Sequence, residues 1–280
     1  MKKLLPITLL LMAPVFLYGQ QDLCCTLSAP EEFAVLSQNM DFAMLHEIPQ
    51  PYIHHSKQGD MITFPTNDGK TGNAFFLKSS HKSDNYLFVI HEWWGLNDHI
   101  KKEAERLYND LENVNVMAID LYDGNVASTR EDAMKYIRQV NNERANAIIS
   151  GAVDYAGHNS KIATIGWCFG GGWSLQSALI AGSHTVGCVM YYGRPEQNME
   201  KLKTLNSDVL GIFAVHDSGI GPDVVAKFQN DMIGAGKSIT VHSFDAAHAF
   251  ANPSSQRYNS DAAQIANQLA LAYLKKKFNQ

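Results

Sequence analysis

The sequence predicts an α/β fold in which helices cover both faces of a mostly parallel central sheet. Short continuous apolar runs alternate with amphipathic helical stretches along most of the chain, as expected for strands buried between two helical layers. The hydrophobic fraction of 45% and the charged fraction of 18% are ordinary for a globular domain. Because such domains can reach roughly 250 residues, the 280-residue chain predicts one main domain.

The first residues have the features of a secretory signal peptide. Met1-Lys2-Lys3 supplies positive charge, and an apolar stretch from Leu4 to Tyr18 follows it. We therefore expect residues 1–19 to be removed and the protein to be exported to the periplasm or secreted. A retained membrane anchor is the alternative, but Pro6 and Pro14 interrupt a stretch that is already short for a bilayer span. We expect no stable membrane insertion after cleavage.

Residues 20–58 are predicted to form an N-terminal appendage that packs on the main domain. They contain one helical stretch, Glu31 to Leu45, which is followed by the helix breakers Pro49 and Pro51. Export would place the adjacent pair Cys24-Cys25 in an oxidising compartment. The two thiols either form disulfides or stay free, and the spacing does not choose between these outcomes.

The main domain, residues 59–280, is predicted to begin with an antiparallel hairpin around Asn67-Asp68-Gly69. Strands and helices then alternate. The strands are expected at 61–64, 72–77, 86–91, 114–121, 161–165, 185–192, 209–216 and 239–244. The helices are expected at 100–112, 130–155, 171–181, 222–234 and 262–277. The helix at 222 starts on proline, which is common at the first helical position.

A cysteine stands at the junction between one predicted strand and its helix. Gly166-Trp167-Cys168-Phe169-Gly170 places a glycine two residues away on each side of the thiol. A side chain on a tight strand-to-helix turn has crowded neighbours, and glycine relieves that crowding. The macrodipole and unpaired N–H groups of a helix N-terminus favour a thiolate, the form that attacks carbonyl carbon. Cys168 is therefore a candidate nucleophile, with a buried structural thiol as the alternative.

Other polar residues follow strands at the same edge of the predicted sheet, where ligands bind in folds of this kind. A thiol nucleophile needs a base, and the base needs a carboxylate to orient it. Cys168, Asp217 and His248 occur in the chain order nucleophile, acid, histidine that α/β-hydrolase topology uses. Asp217 alternatively stabilises a turn, with Asp223 and Asp245 as rivals for the acid, and His248 is one of eleven histidines.

Several other classes of function are excluded. The net charge of −5 and the lack of a basic cluster beyond Lys275-Lys276-Lys277 argue against nucleic acid as a partner. His91-Glu92 lacks the second histidine of a zinc-protease motif, and no lysine follows Gly170-Gly171-Gly172 as a phosphate loop requires. These observations therefore do not support a nucleic-acid-binding, zinc-protease or phosphate-loop function.

Three motifs resemble the dienelactone hydrolase family, which has the α/β-hydrolase fold. They lie at residues 88–97, 166–172 and 248–250, and the resemblance covers roughly residues 60 to 278. It implies that Cys168, His248 and Asp217 hydrolyse a small ester or lactone through a thioester acyl-enzyme. No metal or organic cofactor is implied.

The resemblance also implies roles for residues that follow the strand at 86–91. Glu92 matches a family glutamate that holds the resting thiol, so we expect Glu92 to accept a hydrogen bond from neutral Cys168. The backbone N–H groups of Trp93 and Phe169 are implied as the oxyanion hole. Each such donor is typically worth about 3 kcal/mol in the transition state.

The chain departs from the family at two positions. Enzymes that open dienelactone bind the substrate carboxylate with two arginines, one just after the motif Leu121-Tyr122 and one four residues past the catalytic histidine. This chain has Asp123-Gly124 and Asn252 there. Neither can form the bidentate contact of arginine. The resemblance therefore implies the fold and the chemistry of the family and leaves open whether dienelactone is a substrate.

Two alternatives to hydrolysis follow from the same residues. A non-catalytic small-molecule-binding protein would account for the missing arginines and the appendage. A redox role would use Cys168 as an oxidisable thiol, although no resolving cysteine is evident nearby in sequence.

Overall fold

An eight-stranded sheet runs through the computed structural model, which describes residues 27–140 and 142–280. Its strands are β1 (Gly59–Pro65), β2 (Thr71–Leu77), β3 (Asn85–Ile90), β4 (Asn115–Asp120), β5 (Lys161–Trp167), β6 (Thr185–Tyr191), β7 (Val209–Ala214) and β8 (Ile239–Phe244). The helices are α1 (Ala29–Leu36), α2 (Met40–Met44), α3 (Asp98–Asp110), α4 (Arg130–Gln139), α5 (Asn142–Ala156), α6 (Phe169–Ala181), α7 (Met199–Lys203), α8 (Pro222–Gly234) and α9 (Ser260–Lys277). The predicted signal peptide and the pair Cys24-Cys25 lie outside the described residues.

The strand order across the sheet is β1-β2-β4-β3-β5-β6-β7-β8. β2 pairs antiparallel with both β1 and β4, whereas every neighbouring pair from β4 and β3 through to β8 is parallel. The predicted class, α/β with a mostly parallel sheet, is confirmed. In such a sheet the carboxyl ends of β3, β5, β7 and β8 meet at one edge, so residues that follow these strands can form a single site.

Strand β6 illustrates how helices cover both faces of the sheet. The Sγ atom of Cys188 lies 3.6 Å from the hydroxyl of Ser174 on α6. The preceding residue, Gly187, faces Tyr273 and Lys277 of α9. Because successive residues of a strand point to opposite faces, α6 and α9 lie on opposite sides of the sheet. The interpretation of Cys188 as a buried core residue agrees with its free, fully buried thiol.

The long helix predicted over 130–155 is wrong, because two helices occupy this stretch. α4 ends at Gln139, and Val140 takes an extended conformation with ψ of 102°. Val140-Asn141-Asn142 combines residues of low helix propensity. The side-chain amide of Asn142 also donates to the Ser28 hydroxyl at 3.1 Å, a tertiary contact that the helical periodicity does not reveal.

The segment from residue 27 to residue 47, which we call the N-terminal strap, packs across the carboxyl edge of the sheet. Its side chains Phe33 and Phe42 are each 2% exposed. The guanidinium of Arg130 donates to the carbonyl of Ala43 at 3.0 Å, and that of Arg257 donates to the carbonyl of Leu45 at 2.7 Å. The strap is therefore held by buried aromatic rings and by charge-assisted hydrogen bonds to its backbone.

Within residues 27–140 and 142–280, none of the helices combines the length and the apolar character of a membrane span.

Candidate active site

Cys168 occupies a strained turn between β5 and α6. Its backbone has φ of 56° and ψ of −117°, a conformation that residues other than glycine rarely adopt. A Cβ atom on Gly166 would lie 2.0 Å from the carbonyl oxygen of Gly170, and one on Gly170 would lie 2.3 Å from that of Ile90. Only glycine fits at either position. The crowding predicted from the spacing of the motif is therefore present. The turn places the Cys168 thiol at the N-terminus of α6, where the first N–H groups have no acceptor within the helix.

Asp217 and His248 form a buried pair beyond the ends of β7 and β8. Asp217 Oδ2 lies 2.5 Å from His248 Nδ1, and neither side chain is exposed to solvent. The other oxygen, Oδ1, accepts hydrogen bonds from the backbone N–H groups of Gly219 and Ile220, both at 2.9 Å. Asp217 therefore stabilises its turn and orients the imidazole at the same time.

The two rival carboxylates do not reach His248. Asp245 contacts His216 Nε2 at 2.6 Å instead, and its side chain is 92% exposed. Asp223 lies exposed in the first turn of α8. Among the predicted alternatives, Asp217 is the one that the fold brings to the imidazole.

The free side of His248 faces the thiol. One ring nitrogen of His248 lies within 4.8 Å of Cys168 Sγ. Since Nδ1 is engaged by Asp217, Nε2 remains, and it has no hydrogen-bond partner among the described residues although it is buried. A buried imidazole nitrogen without a partner is costly, so its presence points to a role in proton transfer or ligand binding.

A second histidine, His46 of the strap, contacts the thiol directly. Its Nε2 lies 3.2 Å from Cys168 Sγ, and its Nδ1 lies 3.0 Å from the carbonyl oxygen of Phe42. Because a carbonyl only accepts, Nδ1 carries the proton and Nε2 offers its lone pair to the S–H group. Burial lowers the pKa of His46 well below its usual range, which keeps the ring neutral. Sequence reasoning missed His46 because it belongs to the appendage and no motif surrounds it.

Glu92 lies close to the site but has a different partner from the expected one. Its Oε2 accepts a hydrogen bond from the side-chain amide of Asn252 at 2.6 Å. The Cys168 thiol has His46 Nε2 as its side-chain partner instead. The expectation that Glu92 accepts the S–H hydrogen bond is therefore wrong. The neutral side chain of Asn252 holds the carboxyl of Glu92.

The pKa values of Cys168 and His248 are both affected by the burial of the site. Burial raises the pKa of the Cys168 thiol, and this outweighs the attraction of His248 and the hydrogen bond from the Phe169 N–H group. For His248 burial acts to lower the pKa, but the attraction of the Asp217 carboxylate outweighs burial and raises the pKa above its usual range. His248 is thus a strengthened base, and the covered thiol favours its neutral form.

Burial also raises the pKa of Glu92 to about 7, although His248 and the Asn252 hydrogen bond both act to lower it.

Replacing Glu92 with glutamine is expected to change how stability depends on pH. Because the pKa of Glu92 rises from 4.5 to about 7 in the folded protein, its contribution is complete below pH 4.5 and is lost as pH rises through about 7. The shift corresponds to about 3 kcal/mol in the free energy of unfolding. Glutamine stays neutral, so over this interval the wild type should lose that stability relative to Glu92→Gln.

Urea unfolding at a series of pH values measures this difference. Glu112→Gln is the matched control, since Glu112 is exposed and its replacement should leave the pH dependence unchanged. Parallel curves for the wild type and Glu92→Gln would contradict the prediction.

Two other carboxyl-edge residues are structural. Asp120 Oδ1 accepts from the Tyr122 N–H group at 2.9 Å and so stabilises the turn after β4. His91 Nδ1 donates to the carbonyl of Glu92 at 2.6 Å, and its Nε2 accepts from the Leu121 N–H group. Neither contact leaves a group free for chemistry.

Two buried donors near the pair lack partners among the described residues, Trp93 Nε1 and Tyr192 Oη. The ring of Trp93 packs on His46 with centroids 4.0 Å apart, and the ring of Tyr192 lies 5.1 Å from that of His248. Sequence reasoning did not single out Tyr192, although it follows β6 at the same edge of the sheet. Both donors are available to a bound molecule.

The strap closes this site from solvent. Cys168 and His248 are 1% exposed, and His46 is 6% exposed. A cleft of 590 Å³ opens on the surface, but it is lined by residues of α1, α4 and α5. Access to the thiol therefore requires part of the strap to move.

Comparisons with known proteins give a consistent picture. A model of the dienelactone hydrolase family matches residues 74–278. A Saccharolobus solfataricus protein, named as an inferred carboxymethylenebutenolidase, is 27% identical over 260 residues, covering 76% of this chain and 97% of that protein. The carboxymethylenebutenolidase of Pseudomonas putida is 25% identical over 228 residues, covering 76% and 94%.

Among solved structures, a dienelactone-hydrolase-like promiscuous phosphotriesterase from metagenomic libraries superposes with a TM-score of 0.67 at 19% identity. The superposition covers 78% of this chain and 98% of that one. At this level of identity the likeness establishes a shared α/β-hydrolase fold.

Proposed function

Since the chain belongs to the dienelactone hydrolase family, we propose that it hydrolyses small esters or lactones through a thioester on Cys168. The observation that carries this proposal is the buried Asp217–His248 pair, whose unpartnered Nε2 lies on the side of the Cys168 thiol. A carboxylate, an imidazole and a nucleophile in this relation support acyl transfer.

The first half-reaction transfers the acyl group to sulfur. His248 Nε2 takes the thiol proton, and Asp217 stabilises the imidazolium that forms. The thiolate attacks the carbonyl carbon, and the resulting tetrahedral oxyanion accepts hydrogen bonds from the backbone N–H groups of Trp93 and Phe169. When the C–O bond to the alcohol breaks, the imidazolium protonates the departing oxygen. A thioester remains on Cys168; if the substrate was a lactone, the alcohol stays attached to the acyl group.

The second half-reaction regenerates the thiol. His248 removes a proton from water, and the hydroxide attacks the thioester carbonyl. The C–S bond breaks, sulfur takes the proton from His248, and the carboxylic acid leaves. Both half-reactions need only side chains and backbone groups of this chain and a water molecule. Glu92 is close enough to interact electrostatically with His248.

The charges around the site support one class of substrate. Asn252 is neutral and engaged with Glu92, while Asp123 lies 2.5 Å from the Arg144 guanidinium. Neither can hold a carboxylate as an arginine does. We therefore propose uncharged esters or lactones, oriented in part by the free Trp93 indole and Tyr192 hydroxyl.

His46 has to leave the thiol before hydrolysis begins, because the S–H group now points at His46 instead of His248. A substrate entering beneath the strap would displace the imidazole and bring the carbonyl against Cys168. Binding and activation of the nucleophile are then coupled.

Trapping the acyl-enzyme tests the proposal. The mature protein is mixed with activated aryl acetates and with simple lactones, quenched in acid during turnover, and its mass is measured intact and after digestion. We expect an acyl adduct on the peptide that contains Cys168, removable by neutral hydroxylamine, and no adduct on Cys188, which serves as the internal control. Turnover with the adduct on another residue would overturn the cysteine mechanism. A freely alkylated Cys168 without turnover of any ester or lactone would favour the non-catalytic binding protein.

A further inference from the structure

Three potential metal ligands meet beneath the strap. One ligand atom from each of Cys168, His46 and His248 lies within 4.8 Å of the other two, and Cys168 Sγ lies 3.2 Å from His46 Nε2. All three residues are buried. We infer that Cys168, His46 and His248 form a binding site for a divalent metal ion. A thiolate and two imidazoles are ligands that suit Zn²⁺. The inference rests on this geometry and not on the proposed hydrolysis.

Hydrolysis accounts for only one of the two imidazoles. A Cys–His–Asp arrangement needs one base, and His248 with Asp217 supplies it. His46 contributes a second neutral Nε2 lone pair directed at the same sulfur, from a segment that lies 122 residues away in the chain. A thiol with imidazoles on two sides is the ligand set of a Cys-His₂ metal site.

The outer nitrogens of both rings are held in the way that metal-binding histidines require. His46 Nδ1 contacts the Phe42 carbonyl at 3.0 Å, and His248 Nδ1 contacts the Asp217 carboxylate at 2.5 Å. Such hydrogen bonds fix the tautomer and leave Nε2 to bind the ion. For His248 the consequence is visible as a buried Nε2 without a partner among residues 27–140 and 142–280.

The spacing suits a tetrahedral ion. With Zn–S at about 2.3 Å and Zn–N at about 2.0 Å, tetrahedral ligand atoms are separated by about 3.5 Å for S and N and about 3.3 Å for the two N atoms. The present separations, from 3.2 Å up to at most 4.8 Å, reach these values with side-chain movements on the order of 1 Å. A thiolate and two imidazoles favour Zn²⁺ over the oxygen-binding ions Mg²⁺ and Ca²⁺.

Charge and proton balance are straightforward. The Cys168 S–H bond breaks heterolytically, its proton is released to solvent, and the sulfur electron pair forms the bond to Zn²⁺. Both histidines bind as neutral imidazoles. The thiolate and the Asp217 carboxylate together balance the two positive charges of the ion, and water takes the fourth position.

The bound ion would join the strap to the turn that carries Cys168. It would occupy the sulfur and the Nε2 of His248 at once, so the protein would be closed and unable to form a thioester. Metal binding and hydrolysis are therefore mutually exclusive, and a chelator should restore the free thiol.

Direct metal binding tests the site. The protein is prepared with Cys24 and Cys25 replaced by serine, so that this pair cannot supply a thiolate, and is reduced and freed of metal. Zn²⁺ alone is titrated in competition with a chromophoric chelator, and Co²⁺ is added separately to detect the charge-transfer absorbance of a cobalt–thiolate bond. The variants are His46→Gln, Cys168→Ser and the matched control His55→Gln, which makes the same change at an exposed histidine.

We expect one Zn²⁺ per chain, with affinity unchanged in His55→Gln. Since even changes to outer hydrogen-bonding partners lower metal affinity by about 10- to 100-fold, loss of the His46 ligand should lower it by at least about 100-fold. Cys168→Ser should lose the cobalt–thiolate band. Should His46→Gln fail to fold, the Cys168→Ser comparison decides alone.

No Zn²⁺ binding by the unaltered site, equal affinity in folded His46→Gln, or a thiolate band that persists in Cys168→Ser would each overturn the inference. Esterase activity is recorded in the same preparations. Zinc binding by a protein that shows no hydrolysis while it is metal-free would refute the proposed function and support the metal site, whereas hydrolysis by the metal-free protein that stays unchanged when Zn²⁺ is added would do the reverse.

Discussion

Replacing Cys168 with alanine is expected to abolish hydrolysis, with kcat/KM for an activated ester falling by about 10⁴-fold or more. The reason is that Cys168 is the nucleophile that the described residues place in front of the Asp217–His248 pair, so alanine leaves the base without a group to activate. Initial rates with an aryl acetate, measured over the range where rate is linear in enzyme, check this result.

Cys188→Ala is the matched control for that experiment. It makes the same change at a second buried thiol, which lies in β6 beside Ser174. We expect full activity and a loss of stability of about 1 kcal/mol from the small cavity. Activity retained in Cys168→Ala, or lost equally in both variants, would contradict the assignment of the nucleophile.

Replacing Asp217 with asparagine should lower kcat by about 10⁴-fold while leaving the fold intact. Asparagine Oδ1 can still accept the hydrogen bonds from Gly219 and Ile220, so the turn after β7 is preserved. Its amide, however, donates to His248 Nδ1, where the carboxylate accepts. The imidazole then carries its proton on Nε2 and cannot remove one from Cys168.

Asp245→Asn provides the comparison for this prediction. Asp245 stands three residues before His248 in the same loop, yet it is exposed and contacts His216. Its replacement should leave kcat unchanged. Melting curves for both variants separate loss of chemistry from loss of fold. Equal activities in Asp217→Asn and Asp245→Asn would show that the carboxylate does not orient the base.

Signals that are local in the chain are sufficient to predict the fold class and the order of the groups along the sheet edge. Apolar runs and helical periodicity are local signals, and they located the strands that precede Glu92, Cys168, Asp217 and His248. The glycines around Cys168 are local as well, because their crowding arises within one turn. Asp217 was predicted to act either as a turn residue or as the acid, and in the fold its carboxylate makes both kinds of contact.

The groups that cover and surround the thiol depend instead on contacts between segments that are distant in the chain. His46 reaches Cys168 because the strap folds back across the carboxyl edge, and no pattern near residue 46 encodes a contact 122 residues away. The hydrogen bond between Glu92 and Asn252 likewise joins two loops 160 residues apart. It engages the Glu92 carboxyl, which therefore does not accept the hydrogen bond of the thiol. The break between α4 and α5 is coupled to the Asn142 contact with Ser28. Packing between distant segments is set by shape and by hydrogen-bond satisfaction, neither of which has a period that can be seen along the chain.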